Sequence, residues 1–358
     1  MARALRLAAR GSYAAHPNPM VGCVLVRDGD IVGEGWHEAA GEAHAEINAL
    51  RAAGARARGA TAYLTLEPCS HEGKTPPCAP ALIEAGVGEV VIAMEDPFPA
   101  VSGNGRAALE AAGITVRSGL MQDAAESLNA GFLSRVNAGR PLVRLKVASS
   151  IDGAIAMKSG ESQWITGPES RADVQRLRAR SGAILTGIGT VLADDPALNV
   201  RHTELDTRGR QPLRAVLDSR LRTPLSARML GTPGTTVVYC AEDAGRQPLL
   251  DAGAQVVRVK RAAGVLDVQQ VLADLATREV NDVLVEAGPA VSGHLLSLKL
   301  VNELVIYQAP HIMGDETRPM FHTPRWTRLA DRLELDIVDV RRIGPDTRVT
   351  ARIRDRAC

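Results

Sequence analysis

Hydrophobic positions along this chain fall into short runs separated by polar turns, and their period changes from run to run. Leu5, Ala8 and Ala9 recur at helical spacing within Met1 to Arg10, and Gly11 is a stop signal. Met20 to Val26 and Ile31 to Trp36 are two apolar runs joined by Arg27-Asp28-Gly29-Asp30, which predicts a β-hairpin with Asp-Gly at its turn. Gly41 to Ala53 reads as a helix with Ile47, Leu50 and Ala53 on one face, closed by Gly54. Thr61 to Leu66 predicts a strand ended by Glu67-Pro68, Cys78 opens a helix over Ala79 to Ala85, and Glu89 to Met94 is the next strand. A helix over 106–112, a strand from Ile114 to Arg117 and a helix from Ala124 to Arg135 follow.

Asn137-Ala138-Gly139-Arg140-Pro141 has no periodicity and gathers turn residues, so a domain junction is expected there, giving domains 1–139 and 140–358. Beyond it the pattern restarts. Leu142 to Ala148, Ala154 to Met157, Ala183 to Thr186, Thr236 to Cys240 and Asp282 to Val285 read as strands. Pro168 to Arg180 reads as a helix with proline in its first turn. Gly187 to Val191 and Glu286 to Gly293 read as glycine loops at strand ends, the second leading into a helix from His294. Strands alternating with helices indicate an α/β fold. Leu333 to Val338 and Val349 to Ile353 read as closing strands that carry no chemistry.

Composition narrows this picture. A length of 358 residues suits two domains, and with only 3% aromatic residues the cores must be built from Ala, Val, Leu and Ile. Forty-two basic against 41 acidic residues leave a net charge of +1, no field to attract a polyanion, so a nucleic-acid partner is not expected. Five cysteines, odd in number and irregular in spacing, do not form a disulfide framework. No leader and no long apolar run is present, so a cytoplasmic chain without a membrane partner is expected, its thiols free to bind metal. Cys23 and Cys240 read as core residues, and Cys358 is terminal.

The chemistry concentrates in His44-Ala45-Glu46 and in Pro68-Cys69 followed, after the eight residues Ser70 to Pro77, by Cys78. One imidazole, two thiols and a carboxylate beside helix starts match the H-x-E and P-C…C pattern of zinc deaminases, in which the carboxylate is not a ligand. His44, Cys69 and Cys78 would be three ligands, leaving the fourth position to water as catalytic zinc sites do. Glu46 would carry the proton from the attacking water to the departing amine. Two residues apart, His44 and Glu46 would point about 200° from each other on a continuing helix, so the metal must lie off the helix N-terminus, where the dipole also favours negative charge. The alternative is a closed structural site with His71 as fourth ligand. His37, at a strand end, reads as a polar edge residue, and Asn18, between two prolines, as a turn residue with a fixed amide.

Asn18-Pro19-Met20-Val21-Gly22, Glu42-Ala43-His44-Ala45-Glu46 and Glu67-Pro68-Cys69-Ser70-His71 through Gly73-Lys74-Thr75-Pro76-Pro77-Cys78 resemble the deaminase half of the bifunctional riboflavin-biosynthesis deaminase/reductase family. Lys146 to Gly153, Thr186 to Pro196 and Glu286-Ala287-Gly288-Pro289 resemble its reductase half. The resemblance implies a cytidine-deaminase-like three-layer zinc domain followed by a dihydrofolate-reductase-like α/β domain that uses NADPH. It implies that Asn18 contacts a pyrimidine ring. By it Ala148, Trp164, Thr190, Asp194 and the loop Gly288, Pro289, Ala290, Val291, Ser292, Gly293 and His294 line the cofactor, while Ser162, Arg178, Leu198, Arg201 and Glu286 hold a ribose-phosphate substrate. Arg178 and Arg201 have the fork that grips phosphate. The implied substrate is a phosphoribosylaminopyrimidine, deaminated with zinc and then reduced from ribosyl to ribityl, by a homo-oligomer. Glu72, where a second His is expected, and Ala287, in place of a glycine, depart from the family pattern. The rival readings are a deaminase of nucleosides or nucleic acid and a zinc-stabilised nucleotide-binding protein without turnover.

Overall fold

Two sheets organise the chain in the computed structural model, which describes residues 1–70, 76–98, 102–324 and 326–354. They belong to two units, Met1–Arg140 with Asp206–Arg208, and Pro141–Leu205 with Gly209–Cys358. Among the described residues no helix is long and apolar enough to cross a membrane.

The first unit begins with α1 (Ala2–Ala8), continued by a 3-10 turn over Ala9–Tyr13, and the hairpin of β1 (Gly22–Arg27) and β2 (Asp30–Trp36). Asp28 and Gly29 take φ of 53° and 87°, the left-handed pair that a two-residue hairpin turn demands. Then come α2 (Ala45–Ala53), β3 (Thr61–Leu64), α3 (Cys78–Glu84), β4 (Glu89–Ile92), α4 (Asn104–Ala111), β5 (Thr115–Ser118), α5 (Gln122–Leu128) and α6 (Ala130–Ala138). The sheet runs β2-β1-β3-β4-β5; β1 is antiparallel to both neighbours, and β3, β4 and β5 are parallel. Alternation along β1 sends Val24 and Val26 to the α1 side, where they join Ala4 and Leu7. It sends Cys23 and Leu25 to the other side, against Ala45, Ala49, Leu82 and Leu109 of α2, α3 and α4. Helices cover both faces, giving the three layers.

Two expectations for this unit need correction. α2 starts at Ala45 and not at Gly41, because Gly41 is left-handed (φ 85°) and the Ala43 carbonyl is taken by the His37 ring and the Asn48 amide. Its buried face is Ala45, Ala49 and Ala53, while Ile47 and Leu50 are half-buried. The cause is β2: Cβ atoms added at Gly33 and Gly35 would collide with the Ala49 and Ala45 carbonyls, so the α2 backbone lies directly on the strand and only alanine fits between. The single helix expected over Ala124 to Arg135 is broken at Asn129. The buried Asn129 amide accepts from Met20 N (2.8 Å) and donates to Met20 O (2.9 Å), pairing with that backbone like a strand neighbour.

The second unit contains β6 (Leu142–Ser150), β7 (Ala154–Met157), α7 (Pro168–Arg180), β8 (Ala183–Gly187), α8 (Ile188–Asp194), β9 (Leu213–Leu217), β10 (Thr236–Cys240), α9 (Gln247–Asp251), β11 (Gln255–Arg258), β12 (Arg261–Ala262), β13 (Val265–Leu266), α10 (Val268–Thr277), β14 (Asp282–Val285), α11 (Pro289–Ser297), β15 (Glu303–Ala309), β16 (Thr317–Pro319), β17 (Leu335–Ile343) and β18 (Asp346–Ile353). Its sheet of nine described strands runs β11-β10-β9-β8-β14-β6-β15-β18-β17, parallel as far as β15 and antiparallel at β18 and β17. β8 and β10 are buried throughout, as fully covered parallel strands are. Neither expected glycine loop is a long loop. β8 passes straight into α8, and α11 starts at Pro289 and not at His294, because proline is favourable at the first helical position.

Since α2 is seated through Gly35, where a Cβ would stand 2.5 Å from Ala49 N, Gly35→Ala is expected to destabilise the first unit by about 1–3 kcal/mol through overpacking. Denaturant titration of the purified variant, followed by tryptophan and far-UV signals, measures this.

Candidate active sites

The first site forms where two helices begin. His44 is the N-cap of α2, with extended backbone (φ −71°, ψ 163°), and Glu46 lies in the first turn; the angular conflict of a continuing helix does not arise. Cys69 follows β3, and Cys78 is the first residue of α3. The N–H groups of Cys78 and Ala79 both donate to the Cys69 carbonyl at 3.0 Å, so the two cysteines that flank the spacer lie side by side. His44 Nδ1 lies 3.3 Å from Cys78 Sγ and 3.6 Å from Cys69 Sγ, and all three donor atoms are within 4.8 Å of one another. Zinc–nitrogen and zinc–sulfur bonds of about 2.0 and 2.3 Å at tetrahedral angles need a nitrogen–sulfur edge near 3.5 Å. Among the described residues no fourth His, Cys, Asp or Glu joins them; His71, the closed-site alternative, and Glu72 lie outside the described residues.

The charges fit a cation there. The hydrogen bond from Cys78 holds the Cys69 thiol well below the ordinary cysteine range, with His44 adding to it, and the same contact together with burial pushes Cys78 up. Two adjacent sulfurs cannot both ionise unless a positive charge stands between them. Glu46 is 3% exposed, and its Oε2 has no hydrogen-bond partner among the described residues, an orphan that calls for a partner. Burial pushes its carboxyl up to about 7, where a group can take and return a proton near neutrality.

Beside this group the structure assigns His37 a place that spacing did not show. His37 Nδ1 donates to the Ala43 carbonyl (3.2 Å), its Nε2 accepts from Asn18 Nδ2 (3.0 Å), and its ring meets the His44 ring edge-on at 5.4 Å. Burial lowers its pKa, which favours the neutral ring. The Asn18 amide is thereby oriented with its nitrogen spent on His37. Its partner lies 19 positions away, so nothing local to Trp36-His37 announced it.

The second group of residues gathers at the C-terminal ends of β6, β8 and β14, the edge where open parallel sheets bind ligands. Arg178 of α7 forks onto Glu286 (Nε–Oε1 2.6 Å, Nη2–Oε2 3.0 Å) and donates to the Asn199 carbonyl at 3.1 Å. Against the effect of burial, Arg178, Lys146 and Arg201 hold the Glu286 carboxyl below its ordinary range. Three cations around one carboxylate leave surplus positive charge. The Arg178 fork is spent on Glu286, while Arg201, exposed at the surface, makes a long contact from Nη1 to Asn199 Oδ1 (3.4 Å). Lys146, read from sequence only as a strand residue, belongs to this cluster, its ammonium pKa lowered by burial.

Other predicted residues divide. Thr190 Oγ1 lies 4.0 Å from where a Cβ at Gly288 would stand, and a Cβ at Gly189 would meet nothing. Gly288 has φ −71° and Gly189 is helical, so neither needs glycine for its backbone; both leave open space at the strand ends. In α11 the N–H groups of Ala290 and Val291 have no carbonyl four residues back within the helix. Ser292 N donates to Gly288 O, and Gly293 and His294 continue the ladder, so Ser292, Gly293 and His294 are not the open loop expected. Leu198 is buried with Ile188 and Val191 and presents only backbone to a ligand. Trp164 is 70% exposed and stacks on Arg171 at 4.6 Å; Ser162 stands two residues before it, Asp194 ends α8, and Ala148 lies beside Tyr307 in the β6–β15 register.

Residues 141–349 match the family profile described as the RibD C-terminal domain, and residues 1–94 match the cytidine and deoxycytidylate deaminase zinc-binding region. The riboflavin biosynthesis protein RibD of Escherichia coli K12 is 49% identical over 97% of this chain and 96% of its own length. The chain belongs to the RibD family. The RibD of Haemophilus influenzae is 46% identical over 98% of the chain and 95% of its own length. Among solved structures, Acinetobacter baumannii RibD superposes with a TM-score of 0.93 at 45% identity, covering 99% of this chain and 98% of that one. The Thermotoga maritima diaminohydroxyphosphoribosylaminopyrimidine deaminase/5-amino-6-(5-phosphoribosylamino)uracil reductase does so with 0.86 at 33% identity, covering 99% and 97%. As a RibD, the chain is a bifunctional deaminase and reductase of riboflavin biosynthesis, with a zinc-binding first half and an NADPH-using second half.

The Arg178–Glu286 pair gives a pH-dependent expectation. Its depressed carboxyl contributes stability that is present above the unfolded-state value and is lost as pH falls through the folded-state value. Arg178→Ala, which strands a buried carboxylate, is expected to cost the second unit about 3 kcal/mol at neutral pH. That deficit should shrink below the ordinary carboxylate range, as read by denaturation midpoints across pH.

Proposed function

We propose that the first unit deaminates a diaminopyrimidine bearing a phosphoribosylamino group and that the second reduces the ribosyl group of the product to ribityl with NADPH. The carrying observation is the convergence of His44, Cys69 and Cys78 on one point beside the buried Oε2 of Glu46, which has no hydrogen-bond partner among the described residues. These three side chains would hold zinc, which when bound supplies a Lewis acid that makes water a nucleophile near neutral pH. Glu46 takes the proton released as water adds to the ring carbon and passes it to the departing amine. Asn18, its nitrogen held by His37, turns its carbonyl oxygen to the pyrimidine as an acceptor.

In the second unit NADPH supplies the hydride. The open space over Gly189 and Gly288 and the N–H groups of Ala290 and Val291 at a helix start would hold it, with Ala148, Trp164, Thr190 and Asp194 as its other neighbours. Arg201 and Lys146, with Ser162 and the Leu198 backbone, receive the ribose phosphate, and Glu286 accepts from its hydroxyls. Ser292, Gly293 and His294 support the α11 start from within the helix.

Assembly as a homo-oligomer through the second unit is part of the reading. β17 is an edge strand with Ile337 (58%), Val338 (52%) and Val340 (60%) exposed on its two faces, a surface that soluble chains cover. A net charge of +1 and thiols kept for metal support a cytoplasmic enzyme of small molecules, without a nucleic-acid or membrane partner.

Mass spectrometry of the diaminopyrimidine after incubation with purified protein tests both activities: exchange of an amine for oxygen without NADPH, and two further hydrogens with it. An unchanged substrate under both conditions would sink the proposal. Glu46→Gln is expected to keep zinc, measured by metal analysis, and to lose deamination by about 100-fold or more; normal turnover in that variant would remove Glu46 from its role.

A further inference from the structure

The segment that carries Cys69 is gripped by a carboxylate that the deamination itself does not use. Glu67 is 3% exposed, and three backbone N–H groups donate to it: Asp96 and Gly103 to Oε2 at 3.2 and 3.1 Å, and Arg106 to Oε1 at 3.1 Å. They come from the stretch after β4 and from the start of α4. That helix has no side-chain cap of its own, its N-cap being Gly103 in the left-handed conformation. Its orphan N–H groups are therefore satisfied by a side chain from 36 residues upstream, with the helix dipole favouring the charge. The backbones also touch: a Cβ at Gly105 would collide with the Pro68 carbonyl and stand 3.3 Å from Glu67 Cγ. On its other side, the Cys69 carbonyl accepts from the first N–H groups of α3. Cys69 is thus suspended between two helix starts.

We infer that Glu67 is a positioning residue for the Cys69 sulfur, acting through the N-terminus of α4, and that it sets part of the first unit's metal affinity. This rests on the zinc reading above. A cap that served α4 alone would change stability without changing the metal. Because Pro68 leaves little backbone freedom between Glu67 and Cys69, a shift of the carboxylate reaches the sulfur directly. Removal of a residue that orients a ligand from behind ordinarily weakens metal binding by about 10–100-fold.

The test uses the full chain and three variants, Glu67→Ala, Glu67→Gln and Gly105→Ala. Zinc affinity is measured by chelator competition, the sulfur-to-metal charge-transfer band is recorded after loading metal-free protein with Co(II), and reductase turnover on the deaminated substrate serves as a control on the second unit. Glu67→Ala should bind zinc about 10–100-fold more weakly with an altered Co(II) band and unchanged reductase turnover. Glu67→Gln, which keeps one acceptor oxygen, should recover part of both, and Gly105→Ala should shift the band in the same direction as Glu67→Ala. Wild-type affinity and an unaltered band in Glu67→Ala overturn the inference. Should Glu67→Ala fail to fold, Glu67→Gln and Gly105→Ala decide: altered bands in folded protein support it, wild-type bands overturn it. Wild-type protein that takes up no metal is a failure of the zinc reading, visible before any variant is made.

Discussion

A ligand set built on helix ends is placed only as well as those helices are seated, and in the first unit the seating depends on absent Cβ atoms. Gly22 admits the backbone of α1, Gly33 and Gly35 that of α2, and Gly105 lies against the Pro68 carbonyl. With so few aromatic residues to fill a core, the layers close by direct approach of backbone to backbone, with alanine as spacer. Close packing of this kind has little give. It fixes the start of α2, hence His44 and Glu46, against the start of α3, hence Cys78, without a long side chain spanning the gap.

The two sites meet opposite electrostatic problems. In the first, two sulfurs and a carboxyl crowd together: the contact that favours the Cys69 thiolate disfavours that of Cys78, and burial disfavours the Glu46 carboxylate; a divalent cation beside them offsets the shared negative charge. In the second, Arg178, Lys146 and Arg201 outnumber Glu286, and the remedy is an anion. The bidentate pair with Arg178 does more than offset charge there. By spending the Arg178 fork internally it fixes the Glu286 carboxylate, with Arg201 exposed beside the pair.

Around the metal donors a second set of polar contacts connects chain segments that have no common period. His37 ties Asn18 to the stretch before His44, Asn129 ties α6 to Met20 beside that Asn, and Glu67 ties the Cys69 segment to α4. Each is buried, and each is satisfied largely by backbone groups. Such contacts specify one arrangement among many of similar hydrophobic content, because a buried polar group without its partner is costly.

The sequence by itself determined the elements and the chemistry they carry. The Asp-Gly hairpin, the proline-led helix over Pro168 to Arg180, the strands Thr236 to Cys240 and Asp282 to Val285, and the spacing of His44, Glu46, Cys69 and Cys78 could all be read because propensity and period report each residue's relation to its own neighbours. Tertiary structure alone decided that α2 buries alanines and not Ile47, that Asn129 breaks a helix, that His37 holds Asn18, that Glu67 caps a helix far along the chain, and that Arg178 spends its fork on Glu286. Those outcomes depend on which backbone lies within a few ångströms after folding, and contacts across 19, 36 or 109 residues leave no mark in a local pattern.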